Sequence, residues 1–134
     1  IRLPDCVKWV EPCDPKGVCG YTLGMLFDSE KTAAKVQGAG LVGGLAAGNT
    51  KGVRDWHVYW YWEHILEKKT ATAEGCPFLC PHVKKLPKYS PDMCPKTKDI
   101  MLRLGTIGIS PADTSEWASW FAKEFTRKLA AAVK

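Results

Sequence analysis

Residues 113–134 carry large apolar side chains at a strict four-residue interval: Trp117, Phe121, Phe125 and Leu129. At 3.6 residues per turn this spacing lays all four along one side of a helix. Three aromatic rings and a leucine in one stripe need an apolar surface to cover them. Asp113, with Glu116 three residues on, has the form of an N-terminal cap. Arg127, Lys128 and Lys134 put positive charge at the end where the helix dipole is negative. The chain must therefore supply a second layer beneath a terminal amphipathic helix.

The best candidate for that layer is the stretch 18–27. Cys19, Tyr21, Leu23, Met25 and Phe27 alternate with Gly20, Thr22 and Gly24, the period of a strand with one buried face. Glycines on its back imply that another part of the chain lies close. Asp28 and Ser29 then offer a helix cap. Ala33, Ala34, Val36 and Leu41 form a short apolar stripe, closed by Gly38 and Gly40. Residues 41–47 read as a weak strand interrupted by Gly43 and Gly44, and residues 48–54 as a loop. Pro95 suits the first turn of a helix bearing Ile100, Met101 and Leu104, with Gly105 as its terminator. A strand over 106–110 follows, with Ile107 and Ile109 on one face. Few strands with helices packed on one side describe an α+β domain with a small antiparallel or mixed sheet of about three strands.

The 134 residues make one domain by length, 1–134, with 1–17 as an irregular lead-in containing Pro4, Pro12 and Pro15, and 67–93 as a long loop. No apolar run approaches the ~18 residues of a membrane helix, and the first residues lack the charged-then-apolar pattern of a signal peptide. The first residue is Ile1 rather than Met, from which a larger protein is expected to continue upstream. The net charge of +5 comes from lysines scattered along the chain, so a solvated surface is expected rather than a nucleic-acid face.

Six cysteines leave three chemistries open. Cys76, Cys80, His82 and Cys94 include thiols close enough in sequence to share a tetrahedral zinc, but lack the second tight pair of a zinc ribbon. Three disulfides are possible by count. Reduced thiols in a cytoplasmic protein are favoured, because the chain has core segments that a disulfide scaffold usually lacks. The aromatic run at 55–66 holds Trp56, Trp60 and Trp62 between His57 and His64. Its periodicity does not decide between strand, helix and packed loop. So many tryptophans in a small domain point to a neighbouring surface that covers some of them. The glycines at 38–44 have no lysine–serine pair after them for a phosphate loop, and no serine stands in a nucleophile elbow.

Taken in order, the strand Val18-Cys19-Gly20-Tyr21-Thr22-Leu23-Gly24, then Asp55-Trp56-His57-Val58-Tyr59, Trp62-Glu63-His64-Ile65-Leu66 and Gly75-Cys76-Pro77-Phe78 form a recognisable series. It continues through Met93-Cys94-Pro95-Lys96-Thr97-Lys98-Asp99-Ile100 with Arg103, and Ile107-Gly108-Ile109 before Ser110-Pro111. The series resembles the C-terminal part of the DegT/StrS family of pyridoxal-phosphate (PLP) sugar aminotransferases, over most of the chain. The resemblance implies the small domain of a fold-type I enzyme that aminates a keto sugar with glutamate or glutamine as amine donor. It implies PLP held by a lysine in a large domain that this chain does not match, so the chain would be incompetent alone and no catalytic or cofactor-binding residue carries over. It implies a cytoplasmic protein, with the PLP-binding domain or a second subunit as partner and a homodimer at full length. Trp56, His57 and Tyr59 would approach the mouth of the active site on the substrate side, and Arg103 would fix its helix to the body of the fold. The alternative is a small zinc-binding interaction module using Cys76, Cys80, His82 and Cys94.

Overall fold

A computed structural model describes residues 1–44, 57–82 and 84–134. Among these the fold is α+β: a three-stranded antiparallel sheet with its main helices on one face. The strands are β1 (Val7–Trp9), β2 (Thr22–Phe27) and β3 (Leu104–Gly108), in the spatial order β1-β2-β3. The helices are α1 (Glu30–Gly38), the single turn α2 (Glu63–Leu66), α3 (Pro95–Leu102) and α4 (Ser115–Ala132), with a 3₁₀ turn at Tyr59–Tyr61.

The core lies between the sheet and the pair α1 and α4. Val7, Met25, Phe27 and Ile107 face inward from the strands; Ala33 and Val36 come from α1, Phe125 and Leu129 from α4, and Val42 closes one side. Full burial of side chains the size of Phe125 and Leu129 stabilises by about 1.5–3 kcal/mol each. The four-residue stripe of α4 forms as its spacing requires. Trp117 stacks on Phe121 at 4.9 Å and Phe121 on Phe125 at 5.5 Å, a ladder of rings running from solvent into the core. The cap is shifted by one residue from expectation. The Thr114 side chain accepts from the Trp117 amide, while the Asp113 carboxylate accepts from the Ser110 amide and closes the preceding turn. Glu116 sits in the first turn of α4 with its pKa lowered, chiefly by its own backbone N–H and then by the Thr114 and Ser115 hydroxyls. Ser29 caps α1 as its sequence implies, its hydroxyl accepting from the Thr32 amide.

Three elements depart from the sequence expectation. First, the lead-in contains β1. Val7 pairs with Phe27 and Trp9 with Met25, and prolines at 4 and 12 merely bracket a strand three residues long. Second, β2 begins at Thr22, so only Leu23, Met25 and Phe27 of the alternating face join the sheet; Cys19 and Tyr21 are exposed. Gly24 on its back is crossed by Val10, whose amide donates to the Gly24 carbonyl at 2.9 Å. Third, Gly105 does not terminate α3. It lies inside β3, opposite Met25, with its Cα facing the core. Within the expected strand at 41–47, Gly43 forms a single antiparallel bridge to Thr106; positions 45–47, the loop at 48–54 and the beginning of the aromatic run fall outside the described residues.

Gly105 is where the sheet and the core come closest. A Cβ there would stand 2.7 Å from Phe27 Cε2 and 2.9 Å from Val42 Cγ2. Gly105→Ala is therefore expected to destabilise by about 1–3 kcal/mol through overpacking. Gly108→Ala, in the same strand, meets nothing within 4 Å and serves as the near-neutral control. Urea titrations of the two variants check the contrast; equal midpoints would contradict the packing described.

Arg103 caps α3 and joins it to β2. Its Nη1 donates to the Phe27 carbonyl at 2.8 Å, and the Phe27 amide donates to the Arg103 carbonyl at 3.0 Å. Nε and Nη2 grip both oxygens of Asp99 at 3.1 and 2.6 Å. The hydrogen bond from Arg103 holds the Asp99 carboxyl below its ordinary range. Arg103→Met is expected to cost about 1–3 kcal/mol, the worth of hydrogen bonds from a charged donor, and Asp99→Ala less. Because the folded pKa of Asp99 is depressed, its contribution is present above the unfolded pKa and disappears as the pH falls through the folded one. The gap between wild type and Arg103→Met should thus narrow in acid. A gap independent of pH would show that Asp99 contributes nothing.

Candidate functional site

The aromatic run resolves into two short turns pinned beside α3. Val58 is fully buried and Tyr59 nearly so, as is Phe78, and none of the three belongs to the main core cluster. The Tyr59 hydroxyl donates to the Pro91 carbonyl at 2.7 Å and accepts from the Cys94 amide at 3.3 Å. Cys94 is the residue that precedes α3. One phenol thus ties the insert to the start of α3, just as Arg103 ties the end of α3 to the sheet. The Tyr59 and Trp60 rings meet edge to face at 5.1 Å, and Trp60 meets Tyr61 at 5.9 Å. Phe78 meets Tyr89 edge to face at 6.2 Å, so the loop at 67–93 is packed through rings although it has no helix or strand among its described residues.

Of the three residues expected on the substrate side, Trp56 lies outside the described residues. His57 is at the surface at the start of the segment, and Tyr59 is buried with its hydroxyl engaged on backbone. Tyr59 positions the segment; His57 is the exposed member. Trp62 is 36% exposed, with its ring 6.4 Å from that of His64.

The cysteines do not assemble as a zinc site requires. Among the described residues no three His, Cys, Asp or Glu side chains are grouped so that they could hold a metal ion. Cys76, Cys80, His82 and Cys94 are therefore not brought together, although all four are described. All six cysteines are free thiols, Cys6 and Cys80 half-buried and the others exposed.

No described lysine is buried. Lys98 is held by the Asp92 carboxylate at 2.6 Å, and this hydrogen bond raises its pKa. A lysine that forms a Schiff base needs the opposite influence, desolvation or a neighbouring cation. Lys98, so held, does not fit the cofactor's attachment point.

Two features escaped the sequence. A cleft of about 380 Å³ lies beside the start of β2, with Trp9, Val10, Pro12, Val18 and Leu23 among its walls. Half of it comes from the proline-bracketed lead-in, where only the adjacent Trp9 and Val10 signal buried or binding surface. A second pair of clefts flanks α4, where the open face of the helix meets the Gly40 turn after α1. No helix among the described residues is long and apolar enough to cross a membrane. No protein-family model matches the chain, and no curated protein matches it in sequence.

Tyr59→Phe would keep the ring and remove both the donor to the Pro91 carbonyl and the acceptor of the Cys94 amide. A loss of about 0.5–1.5 kcal/mol is expected, the net worth of a partly exposed hydrogen bond. Hydrogen exchange at the Cys94 amide should quicken with it; an unchanged exchange rate and unchanged urea midpoint would show that the tie carries no load.

Proposed function

We propose that this chain is the small domain of a PLP-dependent sugar aminotransferase related to the DegT/StrS family, unable to transaminate by itself. The observation that carries the reading is the Arg103 clamp. The segment where the resemblance is strongest, from Met93 to Arg103, is bonded at one end to another segment of the series, through Tyr59 at Cys94, and at the other to the end of β2, through Arg103 at Phe27. The three-stranded sheet backed by a terminal helix supports the same reading.

In this reading the keto-sugar substrate and the amine donor, glutamate or glutamine, bind where a PLP-carrying domain or second subunit meets this one, and the full-length protein is a homodimer. PLP supplies the electron sink when bound by that other domain. Here the chain contributes shape, with the exposed His57 as the described substrate-side candidate and Tyr59 as the tie that positions it. The exposed aromatics, Trp62, Trp117 and Trp120 among them, are the kind of residue that a docked neighbour covers. Free thiols throughout favour a reducing compartment, the cytoplasm. The scattered lysines favour a solvated surface over a nucleic-acid face.

Addition of PLP to the purified chain should give no aldimine absorbance band beyond that of free amines. A band abolished by one lysine substitution would contradict the proposal, because it would locate the reactive lysine within this chain.

A further inference from the structure

The cleft of about 380 Å³ at the start of β2 is built from two stretches that the sheet brings side by side. The Val10 amide donates to the Gly24 carbonyl at 2.9 Å and ties the two stretches together at one end. Between Pro12 and Val18 the chain reverses through a turn in which the Gly17 amide donates to the Asp14 carbonyl at 3.1 Å. Gly20 then takes a φ of 68°, in the left-handed region open to glycine. Backbone geometry thus sets both walls, with Trp9, Glu11 and Pro12 on one and Val18, Thr22 and Leu23 on the other. A space of this size suits a small organic molecule.

The walls are mostly apolar and yet open to solvent. Trp9, Val10 and Val18 are exposed, and so is Tyr21 between Gly20 and Thr22. Apolar side chains bunched on a surface in this way mark a binding site. Charge selects the occupant. Glu11 is the one ionisable group in the lining, and among the described residues it has no ion pair or hydrogen bond. The nearby acid Asp14 is turned onto its own loop, where Oδ1 accepts from the Lys16 amide at 3.0 Å. Thr22 adds a hydroxyl that can accept a hydrogen bond. An unpaired carboxylate attracts a cation, and an indole beside it favours the same charge through its ring face. An anion would meet only Glu11, and a neutral ligand would strip water from that carboxylate without replacing it.

We propose that this cleft binds a small organic cation: an aromatic ring carrying a primary ammonium on a short arm. The ammonium pairs with Glu11 and donates to Thr22, and the ring lies against Trp9 and Val18. The inference does not rest on the transferase reading, and its test needs no cofactor.

Phenethylamine is the probe, with phenethyl alcohol as its neutral counterpart and hydrocinnamate as its anionic one. Each is titrated into the full chain and followed by amide and indole nitrogen–proton NMR spectra. The amine should bind in the millimolar range, as expected of so small a ligand, and should shift the Trp9 indole and the amides of residues 18–24. It should bind about fivefold more tightly than the alcohol, the upper worth of an exposed ion pair, and hydrocinnamate should bind least. Glu11→Gln should bring the amine to the level of the alcohol, and Glu11→Lys should turn the preference toward hydrocinnamate. Val18→Trp, which fills the cleft, should abolish binding of all three. Well-dispersed spectra of each variant show that the fold persists, and Glu11 and Val18 are both exposed. Equal binding of amine and alcohol overturns the proposal, because the cleft is then merely apolar. So does amine binding that Glu11→Gln or Val18→Trp leaves unchanged, or the absence of any shift at the solubility limit of the amine.

Discussion

The fold depends on what happens at Phe27, the last residue of β2. Its ring is in the core, over the bare Cα of Gly105. Its amide and carbonyl both bond to Arg103, the amide to the backbone and the carbonyl to the guanidinium. Its neighbour Asp28 donates to the Cys6 carbonyl and holds the start of β1. Sheet, core, α3 and lead-in therefore meet at one residue. A charged donor on a strand-end carbonyl is among the stronger neutral-pH hydrogen bonds available to a small domain, and here it decides where the chain leaves α3 and enters β3.

The same clamp explains how the insert is supported. Helix α3 buries none of its residues, and Ile100 is 48% exposed. Only Met101 and Leu102 among its apolar residues are even half-buried, so a hydrophobic face contributes little to its position. It is held instead at its two ends, by the Tyr59 hydroxyl at Cys94 and by Arg103 at Phe27. The aromatic segment is thereby placed relative to the sheet through two polar ties, with α3 as the strut between them. An arrangement of this kind fixes a segment without demanding a large core, which a chain of this length could not provide at every element.

How much of this was legible in the sequence follows from the kind of signal each element carries. Helix α4 was plain because four large apolar residues repeat at one turn, and α1 because Ser29 precedes a short apolar stripe. The α+β class followed from these and from the alternation at Leu23, Met25 and Phe27. Strand β1 was hidden because three residues between prolines carry no period. Gly105 looks like a terminator because it follows a helical pattern, whereas its role is set by the Phe27 ring, 78 residues away in sequence (105 − 27), a contact no local pattern encodes. The run at 55–66 stayed ambiguous because aromatic residues at consecutive positions satisfy helix and strand periods alike. The candidate site was legible only as a set of residues. That Tyr59 would be a buried tie and His57 a surface group depends on tertiary hydrogen bonds to Pro91 and Cys94.

The proposal is a division of labour in which this chain supplies a ring-lined module and the reactive lysine belongs to another domain. The coding DNA upstream of the Ile1 codon tests it most directly. The account predicts an open reading frame that continues upstream, in frame, into a domain bearing a PLP-binding lysine. A stop codon followed by an initiating methionine immediately before Ile1, with no such domain in the same transcript, would contradict it.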